Sequence, residues 1–435
     1  MAAVVSAAAP QTSGPSRATG YAWAVFALSF GLLISDYMAR QVLGAVFPLL
    51  KVEWDLSDSQ LGLLSGVVAV MVGLLTFPLS LAADRFGLVR SLTAMAILWS
   101  LATLLCAAAR DYDTMLLGRA LVGVGEAAYG SVGIAVVISV FPQRLRATLS
   151  AAFMAGGLFG QVLGVALGAQ VAAAHGWRVA FAVIGLFGLV LGVLYPLVAR
   201  ESRIRSLAGL PPRAERGAAV PLRALFAGRS VVLAYCGSGL QLFAAGALPA
   251  WLPSYLNRYY SMPVDRAGRV AALLLLVCGA GMVACGMVSD RIARDLPARK
   301  ISLALGYSLG TAVCLALAFQ LPAGPGQLAL LGMAMFLVAG TTGPAGAMVA
   351  NLTPLAVHGS AFATLTLANN LIGLAPGPIL TGRAADALGL LSAFRLLPLP
   401  CLAAALVFAV MRRTYLADLA QLDFARAAPP TPASE

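Results

Sequence analysis

Residues 61–90 read LGLLSGVVAVMVGLLTFPLSLAADRFGLVR. The first part, 61–82, carries no charged side chain. An α-helix needs about 20 such apolar residues to cross the hydrocarbon core of a bilayer. The run then ends in a short polar loop that contains Asp84, Arg85 and Arg90. This pattern predicts a helix that crosses a membrane and is followed by a basic loop on one side.

The composition of the whole chain agrees with this prediction. Of the 435 residues, 60% are hydrophobic and only 11% are charged, whereas soluble proteins carry about 25% charged residues. So few charges cannot cover a water-facing surface, which excludes a soluble multidomain enzyme, a disordered protein and a nucleic-acid binder. The six cysteines lie in apolar stretches without the spacing of a metal or disulfide framework. We expect them to pack as small hydrophobic residues.

Apolar stretches long enough to span a membrane recur twelve times, at 22–50, 61–82, 91–109, 115–141, 148–173, 179–199, 225–256, 267–288, 300–319, 327–350, 359–382 and 393–413. A polar, Arg-rich segment at 200–224 divides them into two sets of six. We therefore predict a disordered tail at 1–20, helical bundles at 21–199 and 225–413 joined by a linker at 200–224, and a disordered tail at 414–435.

Basic residues predict the orientation of these spans. Lys and Arg number 29 against 17 Asp and Glu. Of the 29, 19 lie on the side of the N-terminus, 8 on the opposite side, and Arg40 and Arg119 within spans. Since cytoplasmic loops carry the excess of Lys and Arg, we expect both termini on the cytoplasmic side of a bacterial inner membrane.

The polar loop after the second span has a counterpart after the eighth. Gly286-Met-Val-Ser-Asp290-Arg291 repeats the Asp84-Arg85 pattern at an offset of 206 residues. Duplicated halves of parallel topology are a recurrent plan of transporters. The predicted fold is an all-α membrane protein of 12 transmembrane helices, in two six-helix bundles related by a pseudo-two-fold axis.

In these loops the chain resembles the major facilitator superfamily, whose signature is G-x-x-x-D-R-x-G followed by basic residues. Ser80 replaces the first glycine, while Asp84, Arg85 and Gly87 fit the pattern. The Arg119-x-x-x-Gly123-x-Gly125 pattern in the fourth span also fits. The resemblance implies alternating access, with the loop latching the two halves together on the inner side. The gating residues it implies are Asp84, Arg85, Arg90, Arg146, Asp290 and Arg291.

Within that superfamily the chain looks like the Spinster-like branch of lysolipid and sphingolipid transporters or a close bacterial relative. The residues that carry this resemblance are Asp36–Leu43, Leu56–Gly62, Gly118–Ala127, Gly176–Phe181, Asn370–Gly373 and Gly377-Pro378. One departure is Ala39, where the branch usually has an acid directly before the arginine. Organic-anion symporter families share several of these features.

Four charged residues fall inside the first and fourth predicted spans: Asp36, Arg40, Arg119 and Glu126. A charge at mid-membrane costs about 2.5–3.5 kcal/mol on insertion scales, so these residues are functional candidates. Burial favours a protonated carboxyl and a nearby arginine opposes it. We expect Glu126 to carry the proton with Arg119 as its tuner, Asp36 to share protons or contact the substrate, and Arg40 or Arg119 to hold an anionic headgroup. The alternative is structural, with the pairs Asp36–Arg40 and Arg119–Glu126 neutralising each other.

Neutral polar residues complete the predicted substrate site. Tyr37 and Tyr129 lie near the two acids, although an aromatic residue in a span more often packs. A shift of 206 from the four charged residues lands on uncharged positions, so the second half offers only neutral groups. The candidates there are Gln241, Thr341, Asn369 and Asn370, and the alternative for the Asn pair is a hydrogen bond to a neighbouring helix.

A cavity charged on one side and apolar on the other suits an amphiphile with an anionic or zwitterionic head. We therefore predict a proton-coupled secondary transporter of a lipid-like substrate, such as a lysophospholipid, or of an amphiphilic drug. The alternatives are a proton symporter of a small organic anion such as a carboxylate, and a non-transporting sensor or channel. His175 and His358 are the only histidines and no phosphate-binding Gly-x-x-x-x-Gly-Lys motif occurs. We expect no enzymatic activity, no cofactor or metal, no ATP and no nucleic-acid partner, with the proton gradient as driving force and a monomer as the working unit.

Overall fold

The structure of the chain, a computed structural model, describes residues 20–208, 225–226, 228–294, 296, 298–354 and 357–427. Throughout these residues the fold is α-helical and contains no strand. The predicted tail at 1–20 lies outside the described residues apart from Gly20, as does most of the predicted linker.

The first half consists of seven helices: α1 (Gly20–Trp54), α2 (Asp58–Phe86), α3 (Leu88–Ala108), α4 (Tyr112–Glu126), α5 (Tyr129–Val140), α6 (Gln143–His175) and α7 (Trp177–Val198). A short helix, α8 (Glu201–Ala208), follows at the start of the predicted linker. Helices α4 and α5 together form the fourth span.

The second half repeats this order with α9 (Arg229–Tyr259), α10 (Val264–Ile292), α11 (Arg299–Ala318), α12 (Pro325–Val338), α13 (Thr342–Asn351), α14 (His358–Ala368), a π-helical segment (Asn369–Leu374), α15 (Pro376–Leu388), α16 (Leu390–Arg395) and α17 (Pro398–Ala427).

Eleven helical stretches of the described chain are long and apolar enough to cross a membrane. The twelfth predicted span, 359–382, is divided between α14, the π-helical segment and α15, so neither α-helix reaches that length alone. Within it the amide of Ala375 donates to the carbonyl of Asn370 at 2.9 Å, five residues back, as in a π-helix. The predicted fold of twelve spans is thus confirmed.

Local sequence explains where α2 begins and ends. Ser57 Oγ accepts from the amide of Gln60, and Gln60 Oε1 accepts from the amide of Ser57, which forms a capping box. At the other end Gly87 has a φ of +100°, a conformation that favours glycine. The carboxylate of Glu201 then accepts from the amides of Leu88 and Val89 and caps α3. The start of the predicted linker is therefore anchored to the first bundle.

Both halves break their fourth span at the same place. Helix α4 ends at Glu126 and α5 begins at Tyr129, while α12 ends at Val338 and α13 begins at Thr342. Helices α4 and α12 begin at Tyr112 and Pro325, which are 213 residues apart rather than 206. The difference arises because the connections after α10 are longer than those after α2. On this offset Arg119 and Glu126 correspond to Gly332 and Ala339, so the second half still lacks the charges.

The predicted tail from 414 needs correction, because α17 continues beyond Arg413 to Ala427. Tyr415 is fully buried and its hydroxyl accepts from Asn351 Nδ2 at 3.3 Å. Asp418 Oδ2 accepts from the amide of Ser230 at 2.8 Å, near the start of α9. These contacts hold the extra turns of α17 against the second bundle.

The bundles have two ends, which we call the Asp58 end (Trp54–Asp58, Tyr260 and Leu388) and the termini end (Gly20, Phe86 and Arg413). Among the described residues, every hydrogen bond between side chains of one half and groups of the other half lies at the Asp58 end. Towards the termini end α2 and α10 leave large apolar side chains exposed, including Phe77, Leu81 and Met287. The structure is therefore the state in which the Asp58 end is closed.

Candidate functional site

The four charged residues predicted within spans are all placed at mid-height of the first bundle, on α1 and α4. Arg119 is fully buried, and Asp36 and Glu126 are each only 7% exposed. Arg40 is more open, with 23% of its side chain exposed. The burial expected from their positions in apolar spans is thus present in the fold.

Arg119 uses its guanidinium on backbone carbonyls rather than on an acid. Nη1 donates to the carbonyl of Ala39 at 2.7 Å, Nη2 to that of Arg40 at 3.0 Å and Nε to that of Leu64 at 3.3 Å. The Arg119–Glu126 pair of the structural alternative is therefore not formed, since the long side chain of Arg119 reaches from α4 to α1 and α2. Its role as the tuner of Glu126 stays a prediction. Its contacts tie three helices together.

Arg40, and not Arg119, forms the ion pair with Glu126. Its Nε lies 3.3 Å from Glu126 Oε2, in an ion pair between α1 and α4. The Asp36–Arg40 pair of the structural alternative is not formed in this state either, because Arg40 makes its ion pair with Glu126. Arg40 Nη2 and Glu126 Oε1 are buried and have no hydrogen-bond partner in the structure. The pair thus keeps one free donor and one free acceptor.

Asp36 completes the cluster. Its carboxyl group lies beside that of Glu126, and Oδ1 of Asp36 and Oε1 of Glu126 have no hydrogen-bond partner in the structure, so a hydrogen bond between the two acids is open to them. Two carboxylates are both acceptors, so such a bond forms only when one of them carries a proton. With one proton between them, Asp36, Glu126, Arg40 and Arg119 together carry one net positive charge. The arrangement can therefore store a proton and attract an anion.

The two tyrosines have different surroundings. Tyr37 is partly buried and packs against Gly157 and Gly160 of α6, next to the charged cluster. Tyr129 is fully buried, and its hydroxyl donates to the carbonyl of Ser29 at 2.8 Å. Tyr129 therefore packs inside the first bundle, which is the alternative that the sequence left open for it.

The neutral candidates of the second half are buried at the interior of its helices. Gln241 is fully buried and donates to Thr311 Oγ1 and to the carbonyl of Val338, both at 3.2 Å. Thr341 lies fully buried at the break between α12 and α13, and its hydroxyl has no partner. Gln241 therefore joins α9 to α11 and α12.

Asn369 and Asn370 begin the π-helical segment. Asn370 Nδ2 donates to the carbonyl of Thr366 at 2.9 Å within its own stretch of helix. The side-chain oxygens of both residues are buried and have no hydrogen-bond partner in the structure. They are therefore acceptors available to a donor that enters the second half.

The predicted gating residues lie at the termini end. Arg85, Arg90, Asp290 and Arg291 are exposed, and the side chain of Asp84 lies outside the described residues. Arg146 Nε donates to the carbonyl of Phe141 at 3.2 Å, and Asp290 pairs with Lys300 at 3.1 Å within the second half. Their role as a latch stays a prediction, because the described bonds between halves lie at the opposite end.

A charged cluster at the Asp58 end was missed by the sequence analysis. Arg258 donates to both carboxylate oxygens of Asp58, at 2.8 and 2.7 Å, and Lys51 donates to Asp58 at 2.7 Å. The Asp386 carboxylate accepts from the amides of Asp58 and Ser59, at 2.7 and 2.8 Å, and from the Ser59 hydroxyl. An acid of the second half thus caps a helix of the first half. Four charges near helix ends give no signal of this by themselves, although the Ser57–Gln60 capping motif marks the start of α2.

Groups of three or more His, Cys, Asp or Glu side chains that would hold a metal ion are absent from the described residues.

Comparison with known proteins places this geometry in context. Residues 28–375 match the profile of the Major Facilitator Superfamily. The chain is similar to the hexuronate transporter of Bacillus subtilis, with 23% identity over 82% of this chain and 87% of that protein. It is also similar to the sphingosine-1-phosphate transporter SPNS2 of Danio rerio, with 27% identity over 67% of this chain and 61% of that protein.

Among solved structures, the chain shares its fold with an inward-facing, unoccupied crystal structure of a bacterial homologue to the human lysosomal transporter Spinster. The TM-score is 0.76 at 19% identity, over 95% of this chain and 100% of the other. The resemblance inferred from the motifs is thus found again in both comparisons. The hexuronate transporter shows that relatives of the other substrate class are similar as well.

Proposed function

We propose that this chain, which belongs to the major facilitator superfamily, is a proton-coupled secondary transporter of an amphiphilic, lipid-like substrate such as a lysophospholipid or an amphiphilic drug. We further propose that it works as a monomer by alternating access in a bacterial inner membrane, without a cofactor, ATP or a catalytic step. Both termini would then face the cytoplasm, and the Asp58 end would face outside.

The observation that carries proton coupling is the contact between Asp36 and Glu126. Their carboxyl groups can share a hydrogen bond only with a proton between them. Arg40, at 3.3 Å, favours the charged form of Glu126. A movement that changes the distance between α1 and α4 would therefore load or release that proton.

Substrate recognition would begin at Arg40. Its Nη2 is the free donor of the cluster, and guanidinium groups bind phosphate and carboxylate oxygens well. The proton held by the two acids leaves the cluster with a positive charge, so proton loading and anion binding support each other. The second half lacks counterparts of the four buried charges, so its interior suits the apolar part of an amphiphile.

A second candidate is a proton symporter of a small organic anion. The free side-chain oxygens of Asn369 and Asn370 favour it, because they would accept hydrogen bonds from hydroxyl groups of a compact polar substrate. The similarity to a hexuronate transporter points in the same direction.

Uptake into proteoliposomes would separate these candidates. Purified protein is reconstituted in phosphatidylcholine and phosphatidylglycerol, and lysophosphatidylcholine and glucuronate are each supplied with and without a pH gradient. We expect gradient-driven uptake of the lysolipid, which Glu126→Gln abolishes. Glu53→Gln is the matched control, because it also neutralises a glutamate that pairs with an arginine, but Glu53 lies on α1 and pairs with Arg178 at the Asp58 end, away from the cluster.

Uptake of glucuronate alone would favour the second candidate. If Glu126→Gln retained the full response to the pH gradient, the assignment of the proton site would be wrong.

A further inference from the structure

The break in the fourth span directly follows Glu126. Helix α4 ends at Glu126, and Ala128 has φ −117° and ψ 3°, which lies outside the helical conformation. The position of the Glu126 carboxyl group therefore depends on how the chain is held at 127–128, since the helix does not continue through it.

A hydroxyl group from another helix holds this point. Thr76 Oγ1, on α2, lies 2.7 Å from the carbonyl oxygen of Ala127. Thr76 Oγ1 also lies 2.6 Å from the carbonyl oxygen of Val72, four residues earlier on α2. A hydroxyl group has a single proton to donate, so the two carbonyls compete for it. Releasing Ala127 leaves the hydroxyl bonded to Val72, and α4 can come free without a buried donor losing its partner.

Helix α2 also packs closely against the second half. A Cβ on Gly62 would lie 2.4 Å from the carbonyl oxygen of Pro378, and a Cβ on Gly73 would lie 3.0 Å from the Cβ of Asn370. Asp58, at the start of α2, carries the ion pair with Arg258. Through Thr76, a helix that packs against the second half is thus bonded to Ala127, the residue next to Glu126.

The second half has the break without this hydroxyl. Its fourth span is interrupted between Val338 and Thr342, yet the position equivalent to Thr76, at the offset of 206, is Met282. Met282 is 40% exposed and has no group that could donate to a carbonyl. The hydroxyl therefore accompanies the acid and not the break itself.

We propose that Thr76 is a positioning residue that holds Glu126 at its pairing distance from Arg40 and couples that distance to the movement of α2. The inference rests on the proposed proton-coupled function. The charged and titratable groups that face Glu126 are Asp36, Tyr37 and Arg40 from α1 and Arg119 from its own helix. Of these, Arg40 makes the ion pair that a displaced Glu126 would lose.

The test measures uptake of lysophosphatidylcholine, or of glucuronate if that is the compound taken up by the wild type, as a function of pH in Thr76→Val and Thr76→Ser. Valine keeps the shape of threonine and removes the hydroxyl group. Losing the bond to Ala127 weakens the Arg40–Glu126 pair and so favours the protonated acid. We expect the pH of half-maximal uptake in Thr76→Val to rise by roughly half to one unit, since one hydrogen bond changes an equilibrium by about threefold to tenfold. Thr76→Ser should keep the wild-type profile.

Thr364→Val is the matched control, because the Thr364 hydroxyl also donates four residues back, to Ser360 at 2.9 Å, and the described contacts show no bond to another helix. An unchanged pH profile in Thr76→Val, or an equal shift in Thr364→Val, would overturn the inference even if uptake were slower. If Glu126→Gln kept the wild-type pH profile, the proposed proton site would fail instead. The failure of the proton site is thus distinguished from the failure of the inference on Thr76.

Discussion

Arg40 and Glu126 form an ion pair between α1 and α4 in which Nε lies 3.3 Å from Oε2 while Nη2 and Oε1 stay unpartnered. A buried pair that is only half satisfied stabilises a fold poorly, because desolvation of the two charges offsets most of their attraction. The geometry therefore favours a functional role over the structural neutralisation that the sequence left open.

The free donor of Arg40 leads to the first prediction. Arg40→Gln should raise the KM for an anionic substrate by roughly ten- to hundredfold, because a hydrogen bond to a charged group is worth about 1.5–3 kcal/mol. Arg40→Lys should show a smaller rise, since it keeps the charge but loses the planar fork. Concentration-dependent uptake measures both. An unchanged KM in Arg40→Gln would remove Arg40 from the substrate site.

A second prediction concerns Asp36. Asp36→Asn cannot share a titratable proton with Glu126, so uptake driven by a pH gradient should fall to the level without a gradient. Exchange of internal for external substrate should persist, because exchange needs no net release of protons. Counterflow assays compare the two modes. Asp113→Asn, an exposed acid at the start of α4, should leave both intact, and loss of exchange in Asp36→Asn would contradict the assignment.

Arg119 leads to a third prediction, on stability. Arg119→Met removes three charge-assisted hydrogen bonds to backbone carbonyls, each worth about 1.5–3 kcal/mol. We expect a marked fall in the thermal unfolding temperature in detergent, with Arg119→Lys intermediate. Arg269→Gln is the control, because its exposed pair with Asp265 within one helix contributes about 0.5 kcal/mol or less. Wild-type stability of Arg119→Met would show that its contacts are not structural.

The sequence predicted the spans and the burial of the four charges because both depend on local hydropathy. It did not predict their partners. Spacing along one helix shows which residues share a face, as Asp36 and Arg40 do, but not which neighbouring helix approaches that face. The pairing of Arg40 with Glu126 depends on how α1 packs against α4.

The same limit explains the cluster at the Asp58 end. Asp58 and Asp386 are far apart in sequence, and each looks like an ordinary charge at a helix terminus. Their meeting depends on the packing of α2 against α15, which no periodicity encodes. The π-helical segment at Asn369–Leu374 was missed for a related reason, since hydropathy does not separate one helical hydrogen-bond pattern from another.

The Asp58–Arg258 ion pair leads to a fourth prediction. Asp58 is only 4% exposed, and its carboxylate binds an arginine of the opposite half through both oxygens. Asp58→Asn should weaken closure at this end and increase the population open there. Spin labels at Val52 and Leu388, both exposed at the Asp58 end, would report longer distances by double electron–electron resonance. The control Glu53→Gln breaks a pair within one half, and an equal lengthening there would contradict a specific role for Asp58.

Close packing at Gly62 leads to the last prediction. A Cβ at this position would lie 2.4 Å from the carbonyl oxygen of Pro378, on the opposite half, which is closer than packed atoms approach. Gly62→Ala should therefore hold the Asp58 end apart while each bundle still folds, so transport falls and the Val52–Leu388 distance grows. Gly286→Ala is the control, because its Cβ would meet nothing within 4 Å and both substitutions favour helix by about 1 kcal/mol. Wild-type transport in Gly62→Ala would show that transport tolerates a wider separation of α2 from α15.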